Sequence, residues 1–191
     1  MKKEFRKAAH SATKNVLVLL SGGIDSATCV AYYLELGLEV HALFVDYGQV
    51  PRKPERASAE RIAAKFGVDL DVLSVTGLPK LSGKIPGRNA ALLILALMCR
   101  PFQSGLIALG IHAGTDYEDC SPPFTRAMQE VFDVYTGGSV QVDAPFLCWG
   151  KAKIVQFARS RNIPLDITYS CEMGEEAPCR LCSSCRDREN L

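Results

Sequence analysis

The sequence predicts an α/β fold: a parallel sheet with helices on both faces, followed by a small cysteine-rich tail. Three observations predict it. Short apolar runs alternate with segments of helical period along most of the chain. The first run, residues 16–20, is unbroken Val-Leu-Val-Leu-Leu, as expected of a strand buried on both faces. That run passes directly through a glycine pair, Gly22 and Gly23, into a helix-period segment.

The elements follow in order. Residues 26–36 carry apolar side chains at helical spacing and stop at Gly37. Residues 39–45 form a second apolar strand that ends in Asp46, Tyr47, Gly48 and Gln49. Pro51 and Pro54 open a helix reaching about residue 66, with Gly67 as its stop. Residues 68–75 alternate apolar and acidic and read as a third strand. A loop with three glycines and two prolines, 77–87, leads into a strongly apolar helix at 88–99. A short strand at 106–109 ends at Gly110. Ser121 caps a helix that starts at Pro122 and Pro123 and reaches about Tyr135. A last strand is expected at 140–142 and a last helix at 151–161, with an irregular tail from Tyr169. The chain thus divides into a lead-in over 1–14, one α/β domain over 15–168 and a tail over 169–191.

Composition narrows the function classes. A chain of 191 residues with 48% hydrophobic and 23% charged residues supports one domain with a full core. The net charge of +1 offers no broad field for nucleic acid. The longest apolar run, 90–99, is too short to span a bilayer. The charged N-terminus, with Lys2, Lys3, Arg6 and Lys7, lacks the apolar core of a signal peptide, so a cytoplasmic protein is expected. In that compartment the eight cysteines read as metal ligands and buried thiols rather than disulfides.

The chemistry concentrates at the strand ends. Two glycines between a strand and a helix N-terminus, flanked by Ser21, Asp25 and Ser26, make an anion cradle of backbone N–H groups and a partial positive charge. Asp25 fits a phosphate site only if a cation such as Mg²⁺ bridges it to the anion. In a parallel sheet, loops at the carboxyl ends of the strands share one rim. This places 21–26, 46–49, 83–89 and 110–120 together. Tyr47 and Gln49 either line a ligand or belong to a strand-end turn. Arg88 either stabilises developing negative charge or faces solvent, and Asn89 either joins it or caps the helix. Asp116, Glu118 and Asp119 crowd one loop. Lys151 is a candidate phosphate contact, and none of His10, His41 and His112 is expected to be a catalytic base. Cys171, Cys179, Cys182 and Cys185, spaced C-x7-C-x2-C-x2-C within fifteen residues, suit a closed tetrahedral Zn²⁺ site. An iron–sulfur run would continue with a fourth cysteine and a proline, which this chain lacks. Cys29, Cys99, Cys120 and Cys148 read as lone thiols, Cys120 lying within the fourth rim loop.

The first motif, Ser21-Gly-Gly-Ile-Asp-Ser26, resembles the pyrophosphate loop (PP-loop) of the N-type ATP pyrophosphatases, whose Rossmann-like fold belongs to the adenine nucleotide alpha hydrolases. It matches neither the Walker pattern nor G-x-G-x-x-G. With Asp46-Tyr-Gly-Gln49, Pro86-Gly-Arg-Asn89, Asp116-Tyr-Glu-Asp-Cys120, Pro122 to Phe124, Lys151 and the cysteine tail, the chain looks like the 7-cyano-7-deazaguanine synthase (QueC-like) family from Val16 to Arg188.

The resemblance implies ATP-dependent joining of 7-carboxy-7-deazaguanine and ammonia through an acyl-adenylate, with Mg²⁺, a structural Zn²⁺ and a homodimer. It implies that Ser21, Asp25, Ser26, Arg88 and Lys151 serve catalysis. It further implies that Leu20, Gly22, Gly23, Ile24, Asp46, Tyr47, Gln49, Asn89 and Asp116 join Ser21, Asp25 and Ser26 in binding the nucleotide. Cys171, Cys179, Cys182 and Cys185 would hold the zinc. The chain departs from the family in one place. Only ten residues separate Val75 from Pro86, where family members carry a longer insertion that helps enclose the substrate. That opening motivates an alternative, in which the activated deazaguanine carboxylate passes to an amine on another molecule such as a protein, in an anti-phage setting. A tRNA thiolase is disfavoured by the absence of an added RNA-binding domain, and a degenerate zinc-folded partner by the intact first motif.

Overall fold

The computed structural model describes residues 14–78, 84–112 and 117–189. Most of the 1–14 lead-in, with His10, and the candidate Asp116 lie outside the described residues.

The alternating pattern resolves into five strands and the helices between them. Strand β1 is Asn15–Leu19, helix α1 Ile24–Glu35, β2 Glu39–Asp46, α2 Arg52–Phe66 and β3 Asp69–Ser74. Helix α3 is Arg88–Cys99, β4 Gly105–Ala108, α4 Pro122–Thr136, β5 Val140–Asp143, α5 Lys151–Ser160 and α6 Ser183–Glu189. The sheet order is β3-β2-β1-β4-β5, and every neighbouring pair is parallel.

Alternate residues of the central strands face opposite sides, and each side has its own core. Val16, Val18, Leu20, Ala42 and Phe44 pack on one side with α1, α2 and α5. Leu17, Leu19, Leu43 and Val45 pack on the other with α3 and α4. Full burial of each such aliphatic side chain stabilises the fold by roughly 1.5–3 kcal/mol, and that is why the central strands read as unbroken apolar runs. Strand β3 lies at the sheet edge, where exposed Asp69 and Asp71 blunt its pairing capacity.

Two local differences from the sequence expectation matter. Helix α1 starts at Ile24, not at residue 26, so Asp25 and Ser26 lie in its first turn. Gly23 is its N-cap and offers no side chain, so the first N–H groups have no side-chain cap and remain available to a ligand. The tail is not wholly irregular: α6 carries Cys185, because bringing it back to Cys182 and Cys179 suits a helical turn.

Candidate active site

The site lies at the switch point of the strand order, between β1 and β4. Strand β1 pairs with β2 on one side and with β4 on the other, and the loops leaving β1 and β4 part at their carboxyl ends. A cleft of about 240 Å³ opens there. Leu20, Ser21, Gly23, Asp25 and Ser26 line it from the first loop, Tyr47 and Gln49 from the second, Arg88 and Asn89 from the third, and Gly110 and Ile111 from the fourth. All four rim loops therefore contribute to one cavity. Its floor is apolar, with Leu19, Leu43, Val45, Leu92 and Leu109.

The first loop is held tightly. Gly22 has φ +84°, a conformation side chains rarely adopt. Its carbonyl accepts hydrogen bonds from the Ser58 hydroxyl at 2.8 Å and from the Tyr169 N–H at 2.9 Å. A Cβ at position 22 would collide with the Glu55 carbonyl oxygen. The Ser26 hydroxyl donates to the Gly23 carbonyl at 3.0 Å and lies 3.2 Å from the Ser21 hydroxyl, so the two hydroxyls converge beside the free helix N-terminus. Gly110 packs flush against this turn: a Cβ there would lie 2.8–2.9 Å from the Asp25 backbone carbonyl and the Ser26 nitrogen.

Asp25 has a cation of its own. The Lys151 ammonium, at the start of α5, donates to both Asp25 carboxylate oxygens at 2.7 and 2.8 Å. Residues 126 positions apart thus meet at the mouth of the anion cradle. Asp25 thus has a protein cation as its partner beside the anion cradle. His112 lies on the other flank, its Nε2 3.7 Å from Asp25. Burial holds the His112 imidazole below its ordinary value, against the pull of Asp25.

The sign of that shift gives a prediction. A histidine held neutral in the fold contributes stability present above its unfolded value, near 6.5, and lost as pH falls below it. One proton limits the slope to about 1.4 kcal/mol per pH unit. His112→Asn is expected to flatten the loss of stability between pH 6.5 and 5.5, measured by urea unfolding at each pH.

Several sequence candidates, inside the cleft lining or beside it, make structural contacts of their own. The Ile24 side chain is buried and does not line the cleft. Asp46 closes its own turn, accepting from the Gly48 N–H at 3.0 Å. Gln49 is buried and braces the same turn, receiving the Tyr47 N–H at 3.0 Å. Asn89 is not the cap of α3; Gly87 is, and the Asn89 side chain donates to the Asp119 carbonyl at 3.3 Å, tying the third loop to the fourth. Cys120 is buried in the second core, beside rather than within the cleft lining.

Glu55 went unnoticed in the sequence. It lines the cleft, accepts from Gln49 Nε2 at 3.0 Å, and burial raises its carboxyl above the ordinary range. Its only signal was position: the first turn of a helix that follows a rim loop.

The tail brings Cys171, Cys179, Cys182 and Cys185 together, with all four sulfurs within 4.8 Å of one another. Cys179 and Cys185 sulfurs are 3.9 Å apart. Ligands at about 2.3 Å from a tetrahedral Zn²⁺ stand about 3.8 Å from each other, so the cluster has the size zinc needs. The Leu181 and Cys182 N–H groups point at the Cys179 sulfur at 3.4 and 3.3 Å, as donors to a thiolate do. Burial and then the neighbouring sulfurs push the Cys185 thiol up to about 12. A metal ion would reverse that by favouring the thiolate.

Among the described residues, no helix is long and apolar enough to cross a membrane.

A family model described as "Queuosine biosynthesis protein QueC" matches residues 15–85 and 81–190. The two matched pieces meet in the loop that is short in this sequence. A "7-cyano-7-deazaguanine synthase" of Prochlorococcus marinus (strain MIT 9303) is 33% identical over 204 positions, covering 91% of this chain and 90% of the relative. That alignment is longer than the 191-residue chain, so the relative carries residues this chain lacks. Among solved structures, a predicted subunit of tRNA methyltransferase from Methanocaldococcus jannaschii superposes with a TM-score of 0.55 at 19% identity, covering 76% of this chain and 74% of that one. The NH3-dependent NAD synthetase from Campylobacter jejuni gives 0.52 at 18%, covering 86% and 72%. At such identities the likeness to these two extends to the fold.

Proposed function

This chain belongs to the QueC family of queuosine biosynthesis proteins, and on that premise we propose that it converts 7-carboxy-7-deazaguanine and ammonia to 7-cyano-7-deazaguanine at the expense of ATP. The observation that carries the reading is the cleft itself, an anion cradle at the switch point with the Asp25–Lys151 pair at its mouth and Arg88 across from it.

The chemistry asks for positioning and charge. A carboxylate is a poor electrophile, and attack of its oxygen on the α-phosphorus of ATP expels pyrophosphate and leaves an acyl-adenylate. Ammonia adds at the acyl carbon, loses a proton and displaces AMP to give the amide. The amide oxygen attacks the α-phosphorus of a second ATP, expelling pyrophosphate, and leaves as AMP while the nitrogen loses its two protons and the nitrile forms. The Ser21 and Ser26 hydroxyls, the Gly23 N–H and the start of α1 hold the leaving pyrophosphate. Lys151, aimed by Asp25, neutralises the charge that develops there. Mg²⁺ enters as the counter-ion of ATP. Arg88 stabilises the five-coordinate phosphorus. The apolar floor takes the adenine, with Leu20 and Tyr47 at its edge.

The four cysteines hold Zn²⁺, which stays outside the chemistry and stabilises the tail. Its value to the site runs through Tyr169, whose N–H fixes the Gly22 carbonyl. Metal analysis of purified protein is expected to give one zinc per chain. Cys171→Ser is expected to lose the zinc and to lower AMP formation at least tenfold, because Tyr169 then no longer steadies the loop.

Mass spectrometry of protein, ATP, Mg²⁺, ammonia and 7-carboxy-7-deazaguanine tests the reading. A nitrile with AMP is the expected result. An adenylate that ammonia does not consume would move the reaction to a different amine acceptor, and no AMP from zinc-loaded protein would overturn the assigned acid.

A further inference from the structure

A second and larger cavity, about 460 Å³, adjoins the cleft and shares Arg88 with it. One wall is Lys84 to Arg88, the other Tyr117 to Asp119. We propose that this cavity binds the flat bicyclic ring of the acid substrate, with Asp119 reading an amidine edge, Tyr117 forming an aromatic wall and Arg88 turning the carboxylate toward the nucleotide. The identity of the acid rests on the function proposed above; the assignment of an amidine-edged aromatic acid to this cavity rests on the cavity's own chemistry.

Four observations carry it. The volume lies within the range of small-molecule pockets and accommodates a two-ring heterocycle. The shared Arg88 puts the junction of the two cavities where an acid and a nucleotide must meet for adenylation. A guanidinium is suited to a carboxylate and to phosphate oxygens alike. Asp119 is half-buried and fixed: its carboxylate accepts from the Asn89 N–H at 3.3 Å and its carbonyl from the Asn89 side chain at the same distance. A carboxylate pairs with the adjacent N1–H and 2-amino donors of a guanine-type ring, and a ring without them offers it no such pair. Lys84 closes the outer side, bonded to Glu118 at 2.8 Å and 5.4 Å from the centre of the Tyr117 ring. This pair bridges the two walls and keeps Tyr117 in place.

The test separates ring recognition from ATP binding. In the wild-type protein, 7-deazaguanine, which has the ring without the carboxylate, is expected to inhibit AMP formation competitively against the acid and not against ATP. Asp119→Asn keeps an oxygen for the Asn89 N–H but loses the charge. It is expected to raise the KM for the acid and the inhibition constant of 7-deazaguanine at least about tenfold, with the KM for ATP within about twofold. Tyr117→Leu, at an exposed position that leaves the core intact, is expected to raise the same two constants several-fold. Unchanged constants for the acid and for 7-deazaguanine in both variants would overturn the assignment. If the wild type forms no AMP with the acid, the proposed function fails, and calorimetry decides the cavity separately. Binding of 7-deazaguanine to the wild type that is lost in Asp119→Asn would support the site, and no binding to the wild type would overturn it.

Discussion

Gly22→Ala is expected to lower the free energy of unfolding by about 2–6 kcal/mol, and with it to abolish AMP formation. Two costs add. The backbone at φ +84° strains any residue with a Cβ, by roughly 1–3 kcal/mol. The new methyl also has no room: it meets the Glu55 carbonyl oxygen and would lie 3.0 Å from the Ser58 Cβ and 3.2 Å from the Ala59 nitrogen. Overpacking of that kind costs about 1–3 kcal/mol more. The loop can relieve the clash only by lifting its carbonyl from Ser58 and Tyr169, which moves Ser21 and Gly23 out of register with the helix N-terminus. Gly48→Ala separates the two costs. Gly48 has the same φ, and nothing stands within 4 Å of the added Cβ. It is therefore expected to lose only the conformational part. Urea unfolding of both variants reads the difference, and equal losses would show that the clash at Gly22 is relieved without cost.

Lys151→Ala is expected to lower kcat for AMP formation by about 10²–10³-fold, the usual loss when a single preorganised charge is removed from a transition state. The ammonium has both oxygens of Asp25, a residue that lines the anion cradle, as partners. If Asp25 acts by aiming that ammonium, Asp25→Ala, Lys151→Ala and the double variant lose similar amounts, because one device has been removed in each case. Fully additive losses would mean that Asp25 works independently of Lys151, for example on a metal. Lys151→Arg is not expected to restore the rate. A planar fork that pairs with Asp25 presents its charge differently from a compact ammonium.

Neither the lysine nor its partner revealed the pairing in the sequence. Each was visible by itself, Asp25 beside two glycines and Lys151 at the start of the last helix, and the phosphate role was assigned to each separately. The contact needs α5 to return across α1, which only packing on the first core decides. The approach of His112 to Asp25 and the place of Glu55 in the cleft eluded the sequence for the same reason. His112 lies four residues beyond the end of β4, and its acid is on another element. Glu55 looks like one more charge in the surface helix Arg52–Phe66, yet the first turn of that helix faces the cleft. Conversely, Ile24 and Asp46 sit inside legible motifs while their side chains serve the core and a turn. A motif marks a stretch of backbone, and side-chain direction within it depends on the twist and burial around it.

The amino-acid sequence by itself determined the elements, their alternation and the parallel sheet, because apolar period and glycine or proline punctuation act within a few residues. It determined the family as well, through motifs in a fixed order, and it determined the four cysteines, whose spacing is local. The tertiary structure alone decided which strands neighbour β1, and hence where the cleft opens. It alone placed Lys151 and His112 on either side of Asp25 and joined a second cavity to the first through Arg88. Those are contacts between residues far apart in the chain. Their free energy depends on burial and on the loss of water around both partners, quantities that no short stretch of sequence carries.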